Sequence, residues 1–239
     1  MKPRNSLPHL RLHASALAAF ALAAFVPSRI ALAQVTTVDE GSFTITRGAD
    51  AIGREEFTIR STPGAGGAVI VAQATVSYSE RRLAPALSTS PAGAPLKYQI
   101  EITVGDETRE RLSGQVGRGR FSARSQTPDG EAAREYVVAD GALILEDDVF
   151  HQYFFLARGE RTGAIPVVMP RRNRQLTMTL SDAGPESVAV GGRALAARRL
   201  VLQEPGGPDR EVWADAQGRV LKVRIAAQNI VALRDEPPR

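Results

Sequence analysis

The chain has 239 residues, with 30 Lys and Arg against 26 Asp and Glu, three histidines and no cysteine. The missing cysteine excludes disulfides, thiolate zinc sites, iron–sulfur clusters, a thiol nucleophile and a lipoprotein anchor. The basic excess sits in the first 33 residues, which carry Lys2, Arg4, Arg11 and Arg29 and no acid.

Those 33 residues read as a cleavable export signal. A basic start is followed by the apolar run Ala14–Val26, and Ala31-Leu32-Ala33 supplies the small residues that a signal peptidase accepts. Cleavage is expected after Ala33, leaving Gln34 as the mature N-terminus. Thirteen apolar residues are too few for a bilayer span, which needs about 20. The expectation is a periplasmic or secreted protein whose contact with the membrane is at most peripheral. The remaining 206 residues are charge-neutral, which argues against nucleic acid as a partner. They are enough to bury a core, and a single β-rich domain over residues 34–239 is expected.

The mature chain reads as β throughout. Ser42–Arg47 and Ile52–Arg60 alternate and are joined by a hairpin signal at Gly48–Ala51. Ser61–Gly67 reads as a Pro/Gly loop. Ala68–Tyr78 is an apolar strand whose pattern slips once between Val71 and Val76, suggesting a bulge. Leu83–Pro95, with three prolines, reads as a loop. Leu96–Val104 is the cleanest strand: Leu96, Tyr98, Ile100, Ile102 and Val104 share one face, and Lys97, Gln99, Glu101 and Thr103 the other. Thr108–Val116 follows. Arg120–Gln126 and Ala133–Ala139 flank the turn Pro128-Asp129-Gly130, and Ala142–Glu146 comes next.

The pattern then changes. Phe150, Tyr153, Phe154 and Ala157 fall at helical spacing, predicting two to three turns capped by Asp147 or Asp148 and closed by Gly159. After an irregular Glu160–Asn173, strands are expected at Arg174–Ser181, Glu186–Val190, Leu195–Gln203, Arg210–Asp215 and Val220–Ala226, with a short one at Ile230–Leu233. Asp235–Arg239 reads as a frayed polar tail. Strands this one-sided must curl or close to bury a face. The expected fold is therefore mainly β, a strongly curved antiparallel sheet (half-barrel or barrel) around one short aromatic helix.

Chemistry is sparse. His151 is the one histidine after cleavage, too few for a histidine metal site, and it reads as solvated or locally bonded. Gly114-Gln115-Val116-Gly117-Arg118-Gly119 has the wrong spacing for a dinucleotide loop and reads as a bulged turn. Carboxylates could act as a pair only if distant strands bring them together. Arg171, Arg172 and Arg174 form a basic patch, either paired with acids or forming a rim for anionic headgroups or an acidic partner.

Glu211–Val223 is a strand–turn–strand unit that holds Trp213, Asp215 and Gly218. It resembles the terminal hairpin of exported bacterial half-barrel proteins of the LolA/LolB type and related uncharacterised periplasmic domains, in which a Trp/Tyr-x-Asp-x-x-Gly turn feeds a hydrophobic strand. Ile52–Phe57 is similar to the opening of those domains. The resemblance implies a curved half-barrel holding helix inside, in some members opening to an acyl chain.

The reading is a non-enzymatic exported protein without cofactor or metal. It would bind a lipid, an acyl chain or an envelope protein between sheet and helix. Phe150, Tyr153, Phe154 and Trp213 are the candidate ligand contacts, and Arg171, Arg172 and Arg174 the rim. A carboxylate-dependent envelope hydrolase and a small outer-membrane β-barrel are the alternatives.

Overall fold

The computed structural model describes residues 34–239; the expected signal, residues 1–33, lies outside them. One 15-stranded sheet holds the described chain together. Its first half is a meander: β1 (Thr36–Arg47), β2 (Asp50–Gly64), β3 (Gly67–Tyr78), β4 (Arg81–Thr89), β5 (Pro95–Val104), β6 (Glu107–Gly117), β7 (Arg120–Thr127) and β8 (Gly130–Val137). The short β9 (Leu143–Ile144), a 3₁₀ turn at His151–Tyr153 and the single-turn helix α1 (Phe154–Ala157) follow. The chain then runs through β10 (Gly163–Met169), β11 (Arg174–Val190), β12 (Arg193–Gln203), β13 (Arg210–Ala214), β14 (Val220–Ile225) and β15 (Ile230–Arg234). Neighbours pair antiparallel except β9 with β10.

The last strand returns to the first. β15 pairs with β1, so the sheet order runs from β8 back to β1, then from β15 back to β9. The buried Arg234 donates two hydrogen bonds, of 2.8 and 2.9 Å, to the buried Asp39 carboxylate and fastens this junction. Gly41 makes room for it, since a Cβ there would lie 2.9 Å from the guanidinium. Asp235 is also fixed, accepting from the Ser42 and Thr44 hydroxyls at 2.6 Å each. Burial alone would raise its carboxyl, but those hydroxyls and Arg54 outweigh it and hold the group below its usual range. The tail expected to fray is therefore anchored at its first residue.

Paired residues share a face, and one face carries the core. Leu83 opposes Ile102 and Leu87 opposes Tyr98, all buried. Leu96, expected on that face, is exposed at the strand's start. Other local expectations change: Glu160–Asn173, expected to be irregular, holds β10, the loop expected at Ser61–Gly67 is strand except for Ala65 and Gly66, and three more differ. First, residues 83–95 are not a loop, because β4 occupies Arg81–Thr89. Its ladder to β3 lapses between Gln73↔Ala86 and Val76↔Leu83, opposite Pro85, which lacks an N–H to donate. Second, β3 has no bulge against either neighbour. Ile70, Ala72 and Val76 keep one inward parity, and small Ala72 hides it from a hydrophobic pattern. Third, residues 174–190 form one strand, with a bulge between Asp182 and Pro185 where Gly184 has φ 93°. The extra residue reverses the faces, turning Val188 and Val190 away from the side used by Met178 and Leu180.

The glycine run after β6 is a tight turn with positive φ at Arg118 and Gly119. Gly114 lies inside β6, and a Cβ there would sit 2.5 Å from the Phe121 ring and 2.8 Å from the Ser122 carbonyl. Gly114→Ala is expected to destabilise by about 1–3 kcal/mol, read as a lower midpoint in urea unfolding. Gly117→Ala, where a Cβ meets nothing within 4 Å, is expected to change little.

Candidate functional site

The segment from Ala142 to Ala157 has little sheet pairing of its own yet lies almost wholly buried on the core face. Beyond β9, whose pairing the Leu145 N–H extends by donating to the Val168 carbonyl at 3.1 Å, it is held by side chains. A buried helix start needs acceptors for its free N–H groups. Neither Asp147 nor Asp148 caps it; no side-chain cap exists within the segment. Glu55 of β2 does this work from across the core. Its carboxylate accepts the Phe150 N–H at 2.7 Å and the His151 N–H at 2.8 Å, and lies 2.6 Å from His151 Nδ1. Both side chains are fully buried, so His151 is neither solvated nor locally bonded. Its ring stacks on Phe57, which stacks on Phe43.

The freed aspartates face arginines from both halves of the sheet. Asp148 pairs with Arg81 of β4 at 2.8 Å, and Tyr78 donates to its carbonyl at 3.2 Å. Asp147 pairs with Arg210 of β13 at 2.8 Å and with Arg172 at 3.3 Å. Arg198 of β12 donates to the Ala157 and Gly159 carbonyls at the far end. Gly159, with φ 96°, ends the helical segment as expected.

Phe150, Tyr153 and Phe154 come together here, each at most 1% exposed, with Phe155 edge-on to Phe154 at 5.5 Å. Trp213 does not join them. Val212 and Ala214 face the core, so Trp213 faces the other side, packed with Val188, Val190, Ala197 and Leu221. There its indole N–H donates to Glu186 at 2.8 Å and Lys222 lies 4.4 Å from the ring. Neither Trp213 nor any of the three segment aromatics lines the hollow of about 780 Å³ on the outward face of β2–β5 beside the tail.

Arg171, Arg172 and Arg174 sit in the turn after β10 and at the start of β11, all engaged with acids. Arg171 lies among Glu110, Asp148 and Glu146, at 3.4, 3.7 and 3.9 Å. Arg172 and Arg174 reach the buried Glu204, which also pairs with Arg210 at 2.7 Å. Burial is the main cause that pushes the Glu146 carboxyl up to about 8, with Arg171 opposing it. Burial, then the Glu146 charge, also raises the nearby Tyr98 phenol. The acids that converge from distant strands thus each face a guanidinium, apart from Glu55 on its histidine. Tyr98 lies beside Gln152 and Tyr153 beside Arg210, while His151 Nε2 is buried without a protein partner among the described residues. The chain matches no family model, no curated protein and no solved structure.

Glu55→Ala is expected to cost about 3 kcal/mol or more, as removing one partner of a buried pair does; equal stability by chemical denaturation would refute its capping role. Glu146 carries a pH dependence. Its folded pKa lies above the unfolded value of 4.5, so its contribution is complete below that value and is lost as pH rises through about 8. Thermal midpoints are expected to fall over that interval, and Glu146→Gln to flatten this part of the profile.

Proposed function

We propose that this protein is an exported, non-enzymatic binding domain of the bacterial envelope, periplasmic or secreted. In this reading its sheet curls as a half-barrel around the aromatic segment, and an acyl chain is taken up between sheet and segment. The observation that carries the reading is how the segment is held. Its aromatic side chains fill the core face, while its polar groups are tied by side chains from both halves of the sheet. Side-chain bonds of that kind can be exchanged without unmaking a strand ladder.

Curvature has separate support. The Val137 N–H of β8 donates to the Gln175 side-chain oxygen at 3.1 Å, and the Gln175 amide donates back to the Val137 carbonyl at 2.7 Å. Tyr136 of β8 donates to the Pro170 carbonyl at 3.3 Å. β8 and β11 stand twelve places apart in the sheet order, which in a flat sheet would be about 58 Å at 4.8 Å per strand. The resemblance to LolA/LolB-type half-barrels points the same way. An outer-membrane barrel would need an apolar band facing outward, but the exposed large hydrophobics among the described residues are Val35, Leu96 and Val137.

The test is uptake of N-phenyl-1-naphthylamine by the purified protein, with native mass spectrometry after incubation in an envelope lipid extract. Saturable fluorescence enhancement and a lipid adduct are expected. Absence of both would overturn the reading.

A further inference from the structure

Resting on that reading, we infer that the ligand is an anionic amphiphile, with a carboxylate or phosphate head on an acyl chain, and that Asp147-Asp148 followed by the aromatic run occupies its place in the closed protein. The segment has the make-up of such a molecule: two partly exposed carboxylates at one end and the buried Phe150, Tyr153, Phe154 and Phe155 behind them. The carboxylates sit in a seat built by other elements. Arg81 comes from β4, Arg171 and Arg172 from the turn after β10, and Arg210 from β13. Arg210 is 1% exposed, so its charge cannot be left to solvent.

The charge balance of that seat fixes the head group. Arg81, Arg171, Arg172, Arg174 and Arg210 remain when Asp147 and the residues after it leave, and of their partners Glu110, Glu146 and Glu204 remain with them. Five guanidinium groups would then face three carboxyl groups in a partly buried setting, where unpaired charge is costly. A neutral amphiphile fills the space of the aromatic side chains but leaves this excess. A ligand that brings its own anion restores part of the negative charge that Asp147 and Asp148 supplied. Arginine also suits the task, because its planar fork holds carboxylate and phosphate oxygens in pairs.

Displacement of bound N-phenyl-1-naphthylamine by oleate, by oleoyl lysophosphatidylglycerol and by monoolein, each below its micellar range, decides the matter. Both anionic probes are expected to compete at concentrations at least tenfold lower than monoolein. The ranking of oleate against the lysophospholipid distinguishes a carboxylate from a phosphate head. In the double variant Arg81→Gln/Arg172→Gln the tenfold preference is expected to shrink toward one, with monoolein gaining as the uncompensated charge falls. Arg81→Gln alone, at a side chain more than one-third exposed, gives a milder version should the double variant fold poorly. Equal competition by oleate and monoolein in the unaltered protein, or an intact preference in a folded variant, would overturn the inference and leave the binding reading standing. No competition by any of the three, with no dye uptake, would remove the binding reading and the inference together.

Discussion

A polypeptide segment buried against an apolar face without strand pairing must find acceptors for its N–H groups. Here one carboxylate meets that demand. Glu55 accepts two successive backbone N–H groups and contacts the His151 ring, all within 2.8 Å. Other features follow from it. The helical turn needs no cap of its own, so Asp147 and Asp148 are released to meet arginines. His151 is drawn fully inside and stacks on Phe57. The aromatic side chains are thereby set against the sheet instead of facing water.

The ion pairs around the segment then tie distant strands to it. Arg81 on β4 and Arg210 on β13 hold adjacent aspartates, and these strands stand on opposite sides of the β1–β15 junction. That junction is itself secured by a buried, doubly bonded pair, Asp39 with Arg234. Removing either partner of such a pair is costly even where the pair adds little net stability. The network therefore fixes the arrangement more than it deepens the energy well.

The alternation of Leu96–Val104 and the turn signals made most of the sheet legible from the residues. The helical spacing of Phe150–Ala157 likewise marked the break in it. What misled was local composition. Prolines in residues 83–95 suggested a loop, but Pro85 sits where the ladder to β3 skips two residue pairs and then resumes. The polar machinery was missed for a different reason, although it left a signal. Asp39, Glu55, Glu110, Arg210 and Arg234 all stand at positions whose parity in the strand belongs to the core face: Glu55 with Phe57 and Ile59, Arg210 with Val212, Arg234 with Ala232. A charge at core parity in an otherwise alternating strand is a buried charge in search of a partner. The partner's identity, as with Glu55 and His151 on elements 96 residues apart, depends on tertiary packing that alternation does not encode. Trp213 shows the converse: its own parity sets it apart from Val212 and Ala214 and hence from the aromatic segment.

The energetics of exchange explain why a head group would govern a site whose interior is apolar. Exposing Val149, Phe150, Tyr153, Phe154, Phe155 and Leu156, all buried, would cost about 9–18 kcal/mol, at about 1.5–3 kcal/mol each. An acyl chain would recover about 0.8 kcal/mol for each methylene it buries, so a chain of roughly 16 carbons would come near to balance and one of roughly 8 would recover about half. Near that balance, the apolar exchange favours neither state strongly. The decision passes to the arginines, which are left in excess by a neutral ligand and matched by an anionic one. On the proposed function, a site arranged in this way would set a minimum chain length through its aromatic side chains and would select among chains above that length through charge.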